Sequence, residues 1–353
     1  MEPDRDSARV VTRAGRSTWT DPAWRSTFID WATAQVARLG GRVAGPIEQP
    51  HVMPWSTVFR IPTDDGPIWG KAMGPGTAHE VALLTILAER RPDSVLAPLV
   101  ADRPRAWMLL PDGGGTLRQA RPDGTGDHDL TAWEGILGAY AGLQRSLEAD
   151  ADALLGAGVP DGRPEALPSI LGRLLDDEVV WDETRSSAED ILEVGDARAS
   201  LRRAGAWVAD RATLLAGSGI ASTLQHDDLH GGNIFVHGPD IRFFDWGDAS
   251  VAHPFGTLTT TLNSIGYRLG VEPDGPGLAR VRDAYLEAWT DVHPRSELTT
   301  IARAAVDLGR ISRAASWVRA LAGVADGDLE GHGGAAAAWL GDLVQRIDRL
   351  VEV

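Results

Sequence analysis

Asp228 and Asn233 stand five residues apart across two glycines in the segment HDDLHGGN, residues 226–233, and Asp245 follows twelve residues after Asn233. Transfer of a phosphoryl group requires a carboxylate that takes or orients the proton of an attacking hydroxyl, and oxygen ligands for a divalent cation that bridges the phosphates. Asp228 is the candidate for the first task, Asn233 and Asp245 for the second. Gly231 and Gly232 are expected to let the backbone fold tightly enough for Asn233 to face the metal. The runs NIFV and IRFF, joined by HGPD, read as a hairpin that returns Asp245 to the end of the sheet from which Asn233 left.

A second signal is one of residue choice. The chain has 34 basic residues, of which 33 are arginine and one is lysine, Lys71 in GPIWGKAMGPG at 66–76. Against such a bias, a retained lysine marks a place where a compact ammonium serves and a wide planar guanidinium does not.

The elements that must position these residues differ along the chain. Residues 21–39 carry apolar side chains at helical spacing after the possible cap Thr20. From Arg42 to Pro111 come short β-branched and aromatic runs, RVAG, STVFRI, PIWGKAM, SVLAPLV and RAWMLL, with TDDG as a hairpin turn between the second and third. One helix, about 77–91, interrupts them, with Val81, Leu84, Leu87 and Ala88 on one face. The pattern predicts a small, mostly antiparallel sheet with an inserted helix. After the glycine-rich PDGGG at 111–115 the chain reads as helical, with candidates at 129–148, 165–178, 188–216, 254–269, 277–291, 297–323 and 333–352. The exception is 220–249, a loop plus the second hairpin. The expectation is an α+β, two-lobed enzyme with a cleft between its lobes: 1–111 as the first lobe with its leading helix, 112–353 as the second, and PDGGG as the hinge.

Taken together, HDDLHGGNIFV, FDWGDA and the following AHPF resemble the aminoglycoside phosphotransferase and choline kinase families, relatives of the protein kinases, over roughly residues 40–260. The familiar form of the loop is His-Gly-Asp; here Asp227 stands in place of the glycine. The resemblance implies a protein-kinase-like fold, ATP or GTP as donor, Mg²⁺, and a small-molecule hydroxyl as acceptor. It also implies that Lys71 contacts the nucleotide phosphates and is oriented by Glu80 on the following helix. Thr77-Ala-His-Glu80 is equally a capping box, in which Glu80 would bond its own helix terminus. Ser56 and Thr57 match positions that donate to phosphate, or are simply polar residues at a strand start. Backbone groups near Leu110 would bind the adenine edge and Met108 would line its pocket.

Other polar residues receive smaller roles. His226 reads as a loop-stabilising residue bonded near the metal-binding Asp245, and His230 as one that orders the loop. Asp248 caps the next segment or bonds the loop. The acidic run Asp176, Asp177, Glu178, Asp182 and Glu183 is either a solvated helix end or a set of carboxylates for a cationic substrate. The thirteen tryptophans serve the core and, in part, pocket walls.

Composition narrows the partners. The chain has 353 residues, no cysteine and a net charge of −16. Disulfides, thiolate chemistry and zinc-cysteine sites are excluded. The charge argues against nucleic acid and an anionic membrane surface, and leans towards a cationic acceptor. The charged start MEPDRDSARV and the lack of an apolar run of about 18 residues predict a cytoplasmic protein. An antibiotic phosphotransferase and a metabolic kinase of an amino alcohol, sugar or homoserine both fit. The alternatives are a kinase-like binding module without turnover, and a metal-dependent phosphohydrolase drawing on His51, His79 or His128.

Overall fold

The computed structural model describes residues 11–185, 194–273 and 275–351. MEPDRDSARV and the ends of the predicted helices at 188 and 352 lie outside the described residues. The chain is α+β and divides into two units: residues up to Gly113 with Asp245–Gly247 and Arg319–Glu330, and the remainder.

In the first unit, helix α1 (Pro22–Arg38) is capped by Asp21, not Thr20, because the Asp21 carboxylate accepts from the Trp24 N–H at 2.8 Å. The sheet follows as β1 (Glu48–Val52), β2 (Ser56–Thr63) and β3 (Gly66–Met73), then helix α2 (Glu80–Arg90), β4 (Val100–Asp102) and β5 (Trp107–Pro111). Its order is β1-β2-β3-β5-β4, every pairing antiparallel. The β2–β3 hairpin turns through Asp64-Asp65, with Thr63 opposite Gly66.

Two predicted strands fail here. RVAG contributes a single bridge, Val43 to Thr63, and the edge strand is instead Glu48–Val52. That strand contains Pro50, which an edge tolerates, and its register shifts between Glu48 and His51 around the proline. Of SVLAPLV only its last residue enters a strand, Val100–Asp102, since Pro98 cannot donate to a ladder.

Central β3 is fixed by packing on both flanks. Phe28, Ala32 and Val36 of α1 lie against Phe59, Ile61, Ala72, Trp107 and Leu109 of the sheet. The Phe28 and Phe59 rings stack at 4.4 Å, and Phe28 meets Trp107 edge-on at 5.0 Å. Gly70 makes room for this: a Cβ there would lie 2.9 Å from Phe28 Cζ and 3.3 Å from Ile61 Cδ1. Side chains alternate along a strand, so a residue-70 position turned towards Phe28 turns Lys71 to the opposite face.

The second unit contains α3 (Leu130–Ser146), β6 (Asp161–Gly162), α4 (Leu167–Asp176), α5 (Val194–Arg203), α6 (Gly205–Ala216), β7 (Thr223–Gln225), β8 (Ile234–His237), β9 (Asp240–Phe243) and β10 (Ser250–Ala252). Then come α7 (Leu258–Leu269), α8 (Pro276–Leu286), α9 (Arg295–Ala320, in this unit up to Val318) and α10 (Ala335–Val351). The described part of predicted helix 188–216 is two helices, broken at Ala204 before Gly205. The β8–β9 hairpin pairs Ile234 with Phe243 as the sequence suggested. A three-stranded sheet, β6-β10-β7, was not legible: its strands have two or three residues, too few to show alternation. Buried Gln144 of α3 holds it, donating to Leu224 O at 2.8 Å and accepting from Tyr285. The sheet thereby sets where the segment after Gln225 begins.

Gly70→Ala is expected to lower unfolding free energy by about 1–3 kcal/mol through overpacking against Phe28. A urea denaturation series on the variant, with the paired Phe28→Leu change restoring part of the loss, checks it.

Candidate functional site

In the first unit Lys71 sits on β3, opposite Val58 and Met108, with its side chain largely buried. Its Nζ is 2.8 and 2.7 Å from the two carboxylate oxygens of Glu80 and 2.6 Å from Asp245 Oδ1. An ammonium has three N–H donors, and three carboxylate oxygens converge on them. Burial pushes the Lys71 pKa down, but Asp245 and Glu80 push harder in the other direction and leave it raised, so the group stays charged. Glu80 also accepts from the Trp246 backbone N–H at 3.1 Å.

The capping-box alternative for Glu80 does not form. Thr77 lies in a 3₁₀ turn, Pro75–Thr77, and its hydroxyl is 3.4 Å from Gly74 O. Helix α2 begins at Glu80 with His79 in helical backbone geometry, so Glu80 is its first residue rather than its third. A carboxylate at a helix N-terminus also meets the favourable end of the helix dipole.

The neighbouring expectations divide. Thr57 is fully buried, and its hydroxyl accepts from Gln49 Nε2 at 2.8 Å and donates to His51 O at 2.9 Å, which ties it into the sheet edge rather than leaving it for a ligand. Ser56 is buried opposite Met73. Met108 is buried opposite Lys71, and Leu110 is half-buried opposite Trp69.

In the second unit the loop from His226 to Asn233 is held from several sides. The Asp228 N–H donates to His226 Nδ1 at 3.3 Å, which makes Nε2 the protonated nitrogen; it donates to Phe244 O at 2.9 Å. His226 is thus a neutral strut between Asp228 and the residue preceding Asp245. Asp227 has φ 59°, a left-handed conformation that costs a non-glycine residue about 1–2 kcal/mol. Its buried carboxylate is engaged by Gln225 and by Ser250 Oγ, the latter at 2.6 Å, and its carbonyl accepts from Thr260 of α7 at 2.7 Å. Thr261 similarly donates to Leu229 O at 2.9 Å.

Gly231 and Gly232 are the central pair of the expected tight turn, closed by the Asn233 N–H donating to His230 O at 2.8 Å, and they are required there by space rather than by backbone angle. Neither has positive φ, whereas a Cβ on Gly231 would lie 2.5 Å from Asp127 Cβ and one on Gly232 2.8 Å from the His230 ring. His230 accepts from the Gly232 N–H at 3.0 Å and places Nε2 3.7 Å from Asp228 Oδ2.

Asn233 donates through Nδ2 to Asp228 O at 3.0 Å, with Asp228 Oδ2 at 3.4 Å. Spending the amide hydrogens on Asp228 turns Oδ1, a hard oxygen of the kind Mg²⁺ takes, to the other side. The remaining carboxylate oxygen of Asp228, Oδ1, is held by Arg313 Nη2 at 2.9 Å. The same buried guanidinium bonds Asp248 through Nη1 at 2.9 Å, so Asp248 reaches the loop through Arg313. Sequence reading missed Arg313: it lies 85 residues from Asp228, inside a long helix, with no local signal to separate it from other arginines.

Two members of the acidic run are paired with arginines. Arg198 grips Glu178 at 2.7 Å and Arg202 meets Asp176 at 3.0 Å, which pins the end of α4 to α5. Among the described residues no three His, Asp or Glu side chains gather where they could hold a metal by themselves, and no helix is long and apolar enough to cross a membrane.

The model of the phosphotransferase enzyme family matches residues 72–298, beginning one residue after Lys71 and ending before Arg313. No curated protein matches the sequence. The fold is shared with a macrolide 2'-phosphotransferase from Brachybacterium faecium, at 20% identity, 88% of this chain, 98% of that one and a TM-score of 0.53. An ethanolamine kinase from Plasmodium vivax aligns at 12% identity over 91% of this chain and 89% of that one, TM-score 0.60. An amicoumacin kinase solved with AMP-PNP, Ca²⁺ and its ligand aligns at 13% identity over 85% and 88%, TM-score 0.52. The fold is therefore that of the protein-kinase-like phosphotransferases.

Glu80→Ala leaves a buried ammonium with one carboxylate instead of two, and is expected to lower stability by about 2–4 kcal/mol. Glu80→Gln, which keeps an oxygen acceptor, should recover part of that in thermal or urea unfolding.

Proposed function

This chain belongs to the phosphotransferase enzyme family, and we propose that it is a Mg²⁺-dependent kinase that moves the γ-phosphoryl group of ATP to a hydroxyl of a small molecule. The observation that carries the reading is the one lysine of an arginine-rich chain, buried and held by Glu80 and Asp245. A buried ammonium anchored by Glu80 keeps its charge, and the N–H now given to Asp245 is the one it would turn to phosphate oxygens when that carboxylate takes the ion. The chain gives up a guanidinium at this position alone.

The remaining roles follow from the donor atoms. Asp228 receives the hydrogen bond of the acceptor hydroxyl on Oδ2 and takes its proton as the oxygen attacks, while Arg313 fixes Oδ1 and so sets the plane of the carboxylate. Asn233 through Oδ1 and Asp245 through its half-exposed carboxylate are the residues that would hold Mg²⁺. The bound ion supplies charge neutralisation of the transferring phosphoryl oxygens. Asp245 shares Lys71 with Glu80, so the same carboxylate that holds the ion also orients the ammonium. Met108 and Leu110 on β5, next to Lys71 in the sheet, are assigned to the adenine. The acceptor is a hydroxyl compound; macrolide, ethanolamine and amicoumacin belong to the names of the structural neighbours.

Asp228→Ala is expected to cut acceptor-dependent ADP release by at least a thousandfold while leaving Mg²⁺–ATP affinity within about threefold; loss of both, or of neither, removes Asp228 from this role. Lys71→Arg is expected to lower kcat by at least tenfold, measured in the same assay. Wild-type turnover in that variant would mean that arginine serves there after all.

A further inference from the structure

Two hollows of the second unit adjoin, with Asn263, Glu272, Pro273 and Asp342 as common walls. The first, about 680 Å³, is walled by the rings of Tyr267, Trp317 and Trp339, and Tyr267 is 89% exposed. Trp317 stands one helical turn from Arg313 on α9, its ring centroid 5.1 Å from the guanidinium carbon. That guanidinium is the one bonded to Asp228. This aromatic hollow thus lies one side chain away from the clamp on the candidate catalytic carboxylate.

The second hollow, about 470 Å³, has, among the described residues, five arginines on its walls against two acids, Glu272 and Asp342. Three of the five are matched by carboxylates: Arg282 by Asp283, Arg310 by Asp342 and Arg346 by Asp307. Arg303 and Arg349 are exposed and have no carboxylate partner among the described residues; Arg349 bonds only the Gln345 carbonyl, at 3.3 Å. In a chain of net charge −16, the described walls of this hollow carry more cations than anions. Helix α10 carries the change along its length, with Ala335, Ala338 and Trp339 on the first hollow and Gln345, Arg346 and Arg349 on the second. At 1.5 Å per residue, Trp339 and Arg349 are separated by about 15 Å along the axis.

We propose that the two hollows form one binding groove for a compound with a flat apolar body and an anionic group at its far end. The body lies on Tyr267 and Trp339 beside the Trp317 ring, which already stacks on His332 at 5.5 Å, and a carboxylate, sulfate or phosphate faces Arg303 and Arg349. Aromatic faces give a flat ligand large contact area, and guanidinium forks bond an oxyanion in two places at once. The inference rests on the kinase reading only in naming this compound as the phosphate acceptor. It reverses the expectation drawn from net charge, which pointed to a cation. Local charge governs a site because screening at physiological salt confines the protein's overall field to about 8 Å.

Titration calorimetry of the full chain with 4-(biphenyl-4-yl)butanoate, the matching butanol and the matching butylammonium tests the groove. The carboxylate should bind at least tenfold more tightly than either analogue, and Arg303→Ala with Arg349→Ala should erase the difference. Both side chains are exposed, so the double variant should fold; circular dichroism confirms this before titration. Tighter binding of the ammonium, equal binding of all three, or a preference that survives the double variant overturns the proposal. With the productive acceptor identified by ADP release, the double variant should raise KM at least tenfold at unchanged kcat, whereas a productive acceptor without an anionic group overturns it. Anion-selective binding by a chain that releases no ADP with any hydroxyl compound would leave the groove standing and sink the kinase reading instead.

Discussion

A buried ammonium is held only where its lost hydration is replaced, and in the first unit that requirement organises what surrounds it. Lys71 meets it with three carboxylate oxygens from two distant stretches of chain. Glu80 must therefore begin its helix at the height of β3, and Asp245 must return to the same unit from far downstream. The aromatic packing of α1 serves the same end from the other face. With Phe28 filling the space that a side chain at residue 70 would take, β3 has one register and one facing. Deleting one carboxylate costs stability because the charge stays buried when its partner goes.

The second unit solves the mirror problem. There the anions are central and the cation is the organiser: Arg313 joins Asp228 to Asp248 through two nitrogens of one planar group. This difference of geometry is a physical reason for the difference of residue. Three oxygens converging on a point suit an ammonium; two carboxylates lying side by side suit a fork. The loop between them is braced by hydrogen bonds from His226, Ser250, Thr260 and Thr261.

Much of this was legible. The hairpins at TDDG and HGPD announce themselves through turn residues between apolar runs, and long helices through their periodicity. HDDLHGGN, FDW and Lys71 stand out because chemistry restricts the residue types. What escaped was either too short or too distant. Strands β6, β7 and β10 are too brief to carry a pattern, and RVAG had strand-like residues without a partner for more than one bridge. Arg313 and the unmatched Arg303 and Arg349 are indistinguishable in sequence from other arginines, because what sets them apart is which carboxylates lie near them. Asp227 is a case in between. Its departure from the familiar glycine is visible in sequence, but the Ser250 and Gln225 bonds that hold it in left-handed geometry are visible only in the fold.

Lysine usage has one further consequence. With a single lysine, the chain presents one side-chain amine to acylating or reductive-alkylating reagents, and that amine is saturated by carboxylates. An amine nucleophile must first shed its proton, which the two acids oppose. The side-chain chemistry of such reagents is thereby concentrated on a single buried atom, whose rate of modification would track the opening of that cluster. Most proteins need a lysine engineered or masked to obtain such a reporter; here the sequence holds no competing lysine.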